Sequence, residues 1–134
     1  MDDIEFVRRL MRENYKAVGL IPLGAIVKAY NRSRVFIHVV NGERVGYLLS
    51  GPIRRGQDVT IWQICIDKNK RGMGYGKNLF KRFYDFALNA GASGIRLRCA
   101  DDIQANLFWE SLGFKKMTTI AEKGRKNTYL LSLK

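Results

Sequence analysis

The sequence predicts a single α/β domain, and three observations lead there. Four runs, RVFIHVV, RVGYLLS, VTIWQICI and IRLRCA, are β-branched and aromatic, as strands are. Other segments repeat apolar residues at helical spacing. The third run passes through a glycine-rich loop straight into one of those helical segments. The middle of the chain therefore reads strand–loop–helix–strand–helix. With 134 residues and a 46% hydrophobic content, one domain spanning 1–134 with a real core is expected.

In chain order, DIEFVRRLMRE places Ile4, Val7, Leu10 and Met11 on one helical side, with Asp2 or Asp3 as N-cap. Pro22 suits the first turn of a second helix, whose apolar side is Leu23, Ile26, Ala29 and Tyr30. Asn41-Gly42 then joins two strands as a hairpin. Residues 59–66 alternate, with Ile61 and Cys65 on one side and Trp62, Ile64 and Ile66 on the other. Apolar on both sides, this segment is expected to be a central strand covered by helices on both faces. Leu79, Phe80, Phe83, Phe86, Ala87 and Ala90 follow at helical spacing, and Gly91 ends that helix. Residues 95–100 form a strand, and Ala105 to Leu112 form a short helix stopped by Gly113. Two last strand-like runs, Met117–Ala121 and Thr128–Leu133, flank a basic turn at Gly124.

Composition excludes several classes. No run reaches the roughly 18 apolar residues a membrane helix needs. MDDIEFVRRL lacks the basic-then-apolar order of a signal peptide, so a cytoplasmic protein is expected. Cys65 and Cys99 lie in apolar runs, which favours buried, reduced thiols. No His/Cys/Asp cluster has metal-ligand spacing, so no metal is expected.

The net charge is +12, from 24 Lys and Arg against 12 Asp and Glu. It is concentrated: residues 68–82 hold Lys68, Lys70, Arg71, Lys77, Lys81 and Arg82 with no acid. Residues 28–55 and the tail from Lys115 are also basic. Such an excess attracts anionic partners.

The stretch NKRGMGYGKNLF, residues 69–80, has the character of a phosphate loop. It is not a P-loop: counting back from Gly76-Lys77, Arg71 stands at the first glycine position and Asn78 at the Ser/Thr position. It is not a dinucleotide fingerprint either, because Lys77 occupies the third glycine position after Gly72 and Gly74. What remains is Arg71-Gly72-x-Gly74-x-Gly76 between a strand and a helix. Glycines there let the backbone approach an oxygen-rich ligand, and the helix adds the positive end of its dipole. Lys70, Arg71 and Lys77 add side-chain charge.

With ICIDKNKRGMGYGKNLF and NLFWESLGF, the chain resembles the GCN5-related N-acetyltransferase (GNAT) family over about residues 34–114. The first string is similar to the family's strand, R-x-x-G-x-G/A loop and helix; the second, to its late helix ending in Gly-Phe. The resemblance implies a mixed, mostly antiparallel sheet flanked by helices, with acetyl-CoA as co-substrate. It implies that the amides of Arg71, Gly72, Met73, Gly74, Tyr75, Gly76 and Lys77 hold the pyrophosphate. The edge of Ile64, Cys65 and Ile66 would pair with the pantetheine arm and polarise the thioester. Asn106 would wall the coenzyme cleft, or else serves as a helix-cap or surface residue.

The catalytic residues are unassigned. VTIWQICI has no carboxylate where many family members carry a glutamate; Gln63 can orient water but not take a proton. Trp109 occupies the position of the family's tyrosine acid, and an indole N–H is no useful acid. Tyr75, Tyr84 and Tyr129 are not brought to the sulfur by any pattern, His38 reads as structural, and Cys65 reads as buried rather than catalytic. The family opens with a strand, whereas this chain opens with helical segments, so either that strand is absent, the favoured expectation, or a partner supplies its pairing.

The expected activity is direct acetyl transfer to a primary amine, small or protein-borne, by a monomer or homodimer. Two alternatives stand: a nucleic-acid-directed acyltransferase or binding protein on the same fold, using Arg54, Arg55, Arg96, Arg98 and the basic tail, or an inactive coenzyme A-binding module.

Overall fold

The computed structural model describes residues 2–100, 103–117 and 126–133. Helices α1 (Asp3–Glu13), α2 (Tyr15–Val18) and α3 (Leu23–Asn31) come first, then strands β1 (Val35–Val40), β2 (Glu43–Ser50) and β3 (Asp58–Ile66). Helix α4 (Tyr75–Asn89), β4 (Gly94–Ala100), α5 (Ile103–Ser111), β5 (Lys115–Lys116) and β6 (Lys126–Ser132) complete the chain. The strands form one sheet in the order β1-β2-β3-β4-β6-β5. The β1–β2, β4–β6 and β5–β6 pairs are antiparallel and β3–β4 is parallel, the mixed architecture expected. By internal contacts the chain divides into two compact units, Met1–Gly51 with Trp62–Asp85, and Pro52–Ile61 with Phe86–Lys134.

In the first unit, Asp2 caps α1 by accepting the Glu5 N–H at 2.8 Å. Phe6, Val7, Leu10 and Met11 form the buried side of α1, and they share a core with Ile26, Ala29, Tyr47, Leu49 and Cys65. Pro22 sits at the N-cap of α3 rather than inside its first turn, after the short extra helix α2. Tyr30 is at the surface, not in the core, because its hydroxyl donates to Asp3 at 3.0 Å. The Asn41-Gly42 turn has positive φ at both residues, 52° and 78°, the geometry that joins a two-residue hairpin without splaying it. The register shifts between His38 and Val39, which leaves Val45 as an extra residue in β2.

Strand β3 corrects one expectation. Val59, Ile61, Gln63 and Cys65 are buried, but the opposite side is only half-covered and Trp62 is 40% exposed. The strand is thus one-sided, and the polar Gln63 belongs to its buried face. On α4, Leu79, Phe80, Phe83 and Ala87 are buried, while Phe86 is exposed. In the second unit, Asp58 to Ile61 pair with Gly94 to Leu97, and β6 pairs along all of β4. The run expected over 117–121 begins beside β5, where the Met117 N–H donates to Thr128 O at 2.8 Å; residues 118–121 and the Gly124 turn lie outside the described residues.

Glycine at position 46 is a packing requirement. A Cβ there meets the Ile66 Cδ1 atom, the Cys65 carbonyl oxygen at 2.7 Å and Ile66 Cα at 3.2 Å, two of which are backbone. Gly46→Ala should therefore destabilise the protein by about 1–3 kcal/mol. Urea denaturation measures this, and a midpoint equal to wild type would show that β2 and β3 have room to separate.

Candidate coenzyme site

The site begins where β3 ends. The Asp67 N–H donates to the Val45 carbonyl of β2 at 2.8 Å. Peptide groups alternate along an extended strand, so those of Cys65 also face β2, while those of Ile64 and Ile66 face the other edge. The backbone therefore supplies Ile64 and Ile66, not Cys65, to a ligand on that edge.

Beyond Asp67, one 3₁₀ turn (Lys68–Lys70) closes through Lys70 N–H to Asp67 O at 2.8 Å. Gly72 and Gly74 take φ of 81° and 80°, conformations that side-chain-bearing residues rarely adopt. A Cβ built at either finds no heavy atom within 4 Å. Conformation, not crowding, therefore requires these glycines, and the space on their side is open to a ligand. Helix α4 starts at Tyr75, and its Asn78 N–H returns to Gly74 O at 3.0 Å. The N–H groups of Tyr75, Gly76 and Lys77 precede that bond and carry the positive end of a fifteen-residue helix. Donor set and open cradle fit a pyrophosphate.

The flanking cations behave differently from expectation. Arg71 is a strut: its Nε donates to the Ile66 carbonyl at 3.1 Å and its Nη2 to Asn14 Oδ1 at 2.8 Å. Asn14 is itself held, donating through Nδ2 to Leu10 O at 2.9 Å. Lys70 pairs with Glu43 at 3.4 Å. Lys77 stands exposed on the first turn of α4, and Met73 is also exposed. Tyr75 is half-buried against His38, ring centroids 5.6 Å apart. Burial and then Arg82 hold the His38 pKa below its ordinary value, so this ring is neutral at pH 7.

The remaining candidates separate. Gln63 is buried; its side chain accepts from the Tyr47 hydroxyl and donates to the Val18 and Gly19 carbonyls. Sequence reasoning missed this role, although a lone polar residue alternating with Ile61 and Cys65 was its signal. Trp109 is a core residue of the second unit, edge-on to Phe108 and Phe114. Asn106 lies half-buried on α5, in that same unit. Cys65 is buried and Cys99 only half-buried. Among the described residues, no group of three His, Cys, Asp or Glu is placed to hold a metal, and no helix is long and apolar enough to cross a membrane.

The profile of the acetyltransferase (GNAT) family matches residues 4–114. The chain belongs to the GNAT family. Solved structures share its fold at low identity. Ard1 from Thermoplasma volcanium matches with a TM-score of 0.82 and 20% identity, over 97% of this chain and 90% of that one. yncA from Salmonella typhimurium, with its cofactor acetyl-CoA, gives 0.76 and 18%, over 98% and 89%. The ribosomal-protein-S18-alanine N-acetyltransferase from Escherichia coli gives 0.71 and 18%, over 96% and 84%. Among proteins of curated function, none matches the chain. GNAT membership makes acetyl transfer the reaction class of this fold.

Burial pushes the Cys65 thiol from its ordinary 9.0 up to about 11, against a smaller opposing pull from Arg71. Between those values the unfolded chain releases the proton and the folded chain keeps it. The stability this group contributes is thus full below 9.0 and lost as pH rises towards 11. The loss should be on the order of 2 kcal/mol. Urea titrations from pH 8 to 11 should show a shallower decline for Cys65→Ala than for wild type; parallel slopes would rule this coupling out.

Proposed function

We propose that residues 1–134 act as one N-acetyltransferase domain that moves an acetyl group from acetyl-CoA to a primary amine, on a small molecule or a protein, within a ternary complex. The observation that carries this reading is the loop itself. Two positive-φ glycines face open space at the start of α4, one 3₁₀ turn after a strand whose Ile64 and Ile66 peptide groups turn away from β2. The N–H groups of Arg71 through Lys77 hold the pyrophosphate, with backbone rather than side chains as the main donors. Ile64 and Ile66 pair with the pantetheine arm and hold the acyl carbonyl in orientation. The reading rests on the first unit alone; Asn106 belongs to the second.

Acetyl-CoA supplies the activated thioester. The chain's own residues bind it and fix its geometry. A Cys65 thiol that stays protonated up to about 11 is a poor nucleophile, which supports direct transfer over an acyl-cysteine route. Gln63 has its hydrogen bonds committed elsewhere. Transfer then depends on holding an already deprotonated amine against the carbonyl. The Escherichia coli and Salmonella typhimurium neighbours, an alanine N-acetyltransferase and an acetyl-CoA complex, support both halves of the reaction.

Acetyl-CoA at about 100 times its dissociation constant should stabilise the protein by about 2.7 kcal/mol, read as a rise in melting temperature. Gly74→Glu places a side chain and a negative charge in the cradle, so it should abolish that rise while the protein stays folded. An undiminished shift in this variant would mean the coenzyme does not use the loop.

A further inference from the structure

Arg96 and Arg98 stand exposed on β4, and the coenzyme reading uses neither. Side chains alternate along a strand, so the two arginines share one side while Ile95 and Leu97 are buried towards the other. Register supplies each arginine with a threonine. Arg96 is paired with Thr60 on the parallel strand β3, and Arg98 with Thr128 on the antiparallel strand β6. Residues in register stand on the same side of a sheet, so four polar side chains from three neighbouring strands gather there. Together with Leu97 they line a cavity of about 280 Å³, and all five residues belong to the second unit.

One of the arginines is aimed by a built contact. Arg96 Nε donates to Asp58 Oδ2 at 2.7 Å, and the Ser93 hydroxyl donates to Asp58 Oδ1 at 3.0 Å. Asp58 lies against Gly94, its partner in register. A Cβ at 94 would stand 2.7 Å from Asp58 Oδ1 and 3.1 Å from the Leu131 oxygen. Glycine there gives the carboxylate room to reach Arg96. The bond uses Nε alone, so the Nη1 and Nη2 donors of the guanidinium stay outside it.

We infer that this cavity is a binding site for an oxyanion, the carboxylate or phosphate group of a small ligand. Guanidinium donors come from β4 and hydroxyl donors from the strands on either side, and the lining holds no carboxylate to oppose a negative charge. A hydroxyl can donate or accept, so each threonine can turn its hydrogen towards the anion. The volume falls just below the range of about 300–1,000 Å³ usual for drug-sized ligands, so the ligand is small. Arg54 and Arg55, the other basic pair offered to phosphates by the sequence, are not among the lining residues. The site does not depend on the acetyl-CoA reading.

The test is an NMR titration of the coenzyme-free protein at neutral pH and constant ionic strength, with inorganic phosphate in one arm and glutarate in the other. Amide signals of the five lining residues should shift and saturate. Saturation at lower phosphate concentration assigns a phosphorylated ligand, and at lower glutarate concentration a carboxylic acid. For the tighter probe, Arg96→Gln should weaken binding by about tenfold. Thr60→Val and Thr128→Val keep a β-branched side chain of the same shape, and each should weaken it by about threefold. Arg54→Gln removes an equal charge outside the cavity and should change it by less than about twofold. If Arg96→Gln fails to fold, the two threonine variants decide. The inference is overturned if neither probe saturates, if the threonine variants bind like wild type, or if Arg54→Gln weakens binding as much as Arg96→Gln does.

Discussion

One hydrogen bond, from the Asp67 N–H to the Val45 carbonyl, sets the chemistry of the strand before it. Because peptide groups alternate, fixing one fixes them all. It commits Cys65 to β2 and turns Ile64 and Ile66 outwards. Gly46 lets β2 come close enough for this, with the Cys65 oxygen only 2.7 Å from where a Cβ would stand. The side chains alternate too, so Ile61, Gln63 and Cys65 point into the core. A single strand therefore turns the Ile64 and Ile66 peptide groups away from β2, sends alternate side chains to the core, and holds the loop after α2 with one polar side chain.

The glycine loop depends on the same strand end. Arg71 donates to the Ile66 carbonyl, so the first residue of the cradle is tied to the last residue of β3. Its second bond reaches Asn14, the C-cap of α1. A planar guanidinium with a fixed fork of donors suits such a two-point connection, and a lysine would not reproduce it. The loop is anchored by the Arg71 side chain, and the backbone N–H groups at the start of α4 take no part in that anchoring.

What was legible in the sequence was local. The Asn41-Gly42 hairpin and the Gly72 and Gly74 turns follow from φ preferences of the residues themselves, and the Asp2 cap from a side chain bonding three residues on. The strand–loop–helix unit is contiguous, so its donor set could be read directly. The roles that sequence did not disclose have remote partners. Arg71 and Asn14 are 57 residues apart, and Gln63 and Val18 are 45 apart. No periodicity carries such pairings. The one-sided cover of β3 escaped for a related reason: Trp62 is as apolar as a core residue, and only the folded chain shows it at the surface beside Arg34, 5.4 Å from its ring.

The basic charge around the loop takes on a sharper meaning in this light. Lys70 is paired with a carboxylate, Glu43. Arg71 and Arg82 instead donate to neutral oxygens, those of Ile66, Asn14 and Ile37. A neutral acceptor fixes a guanidinium in place without cancelling its charge. An exposed ion pair would fix it too, for a modest gain of about 0–1 kcal/mol, but would remove much of its field. Holding cations by carbonyls thus leaves their positive field uncancelled. The sequence shows this as a run from 68 to 82 without an acid. In the structure Arg71 and Arg82 have hydrogen-bond partners, and those partners are neutral.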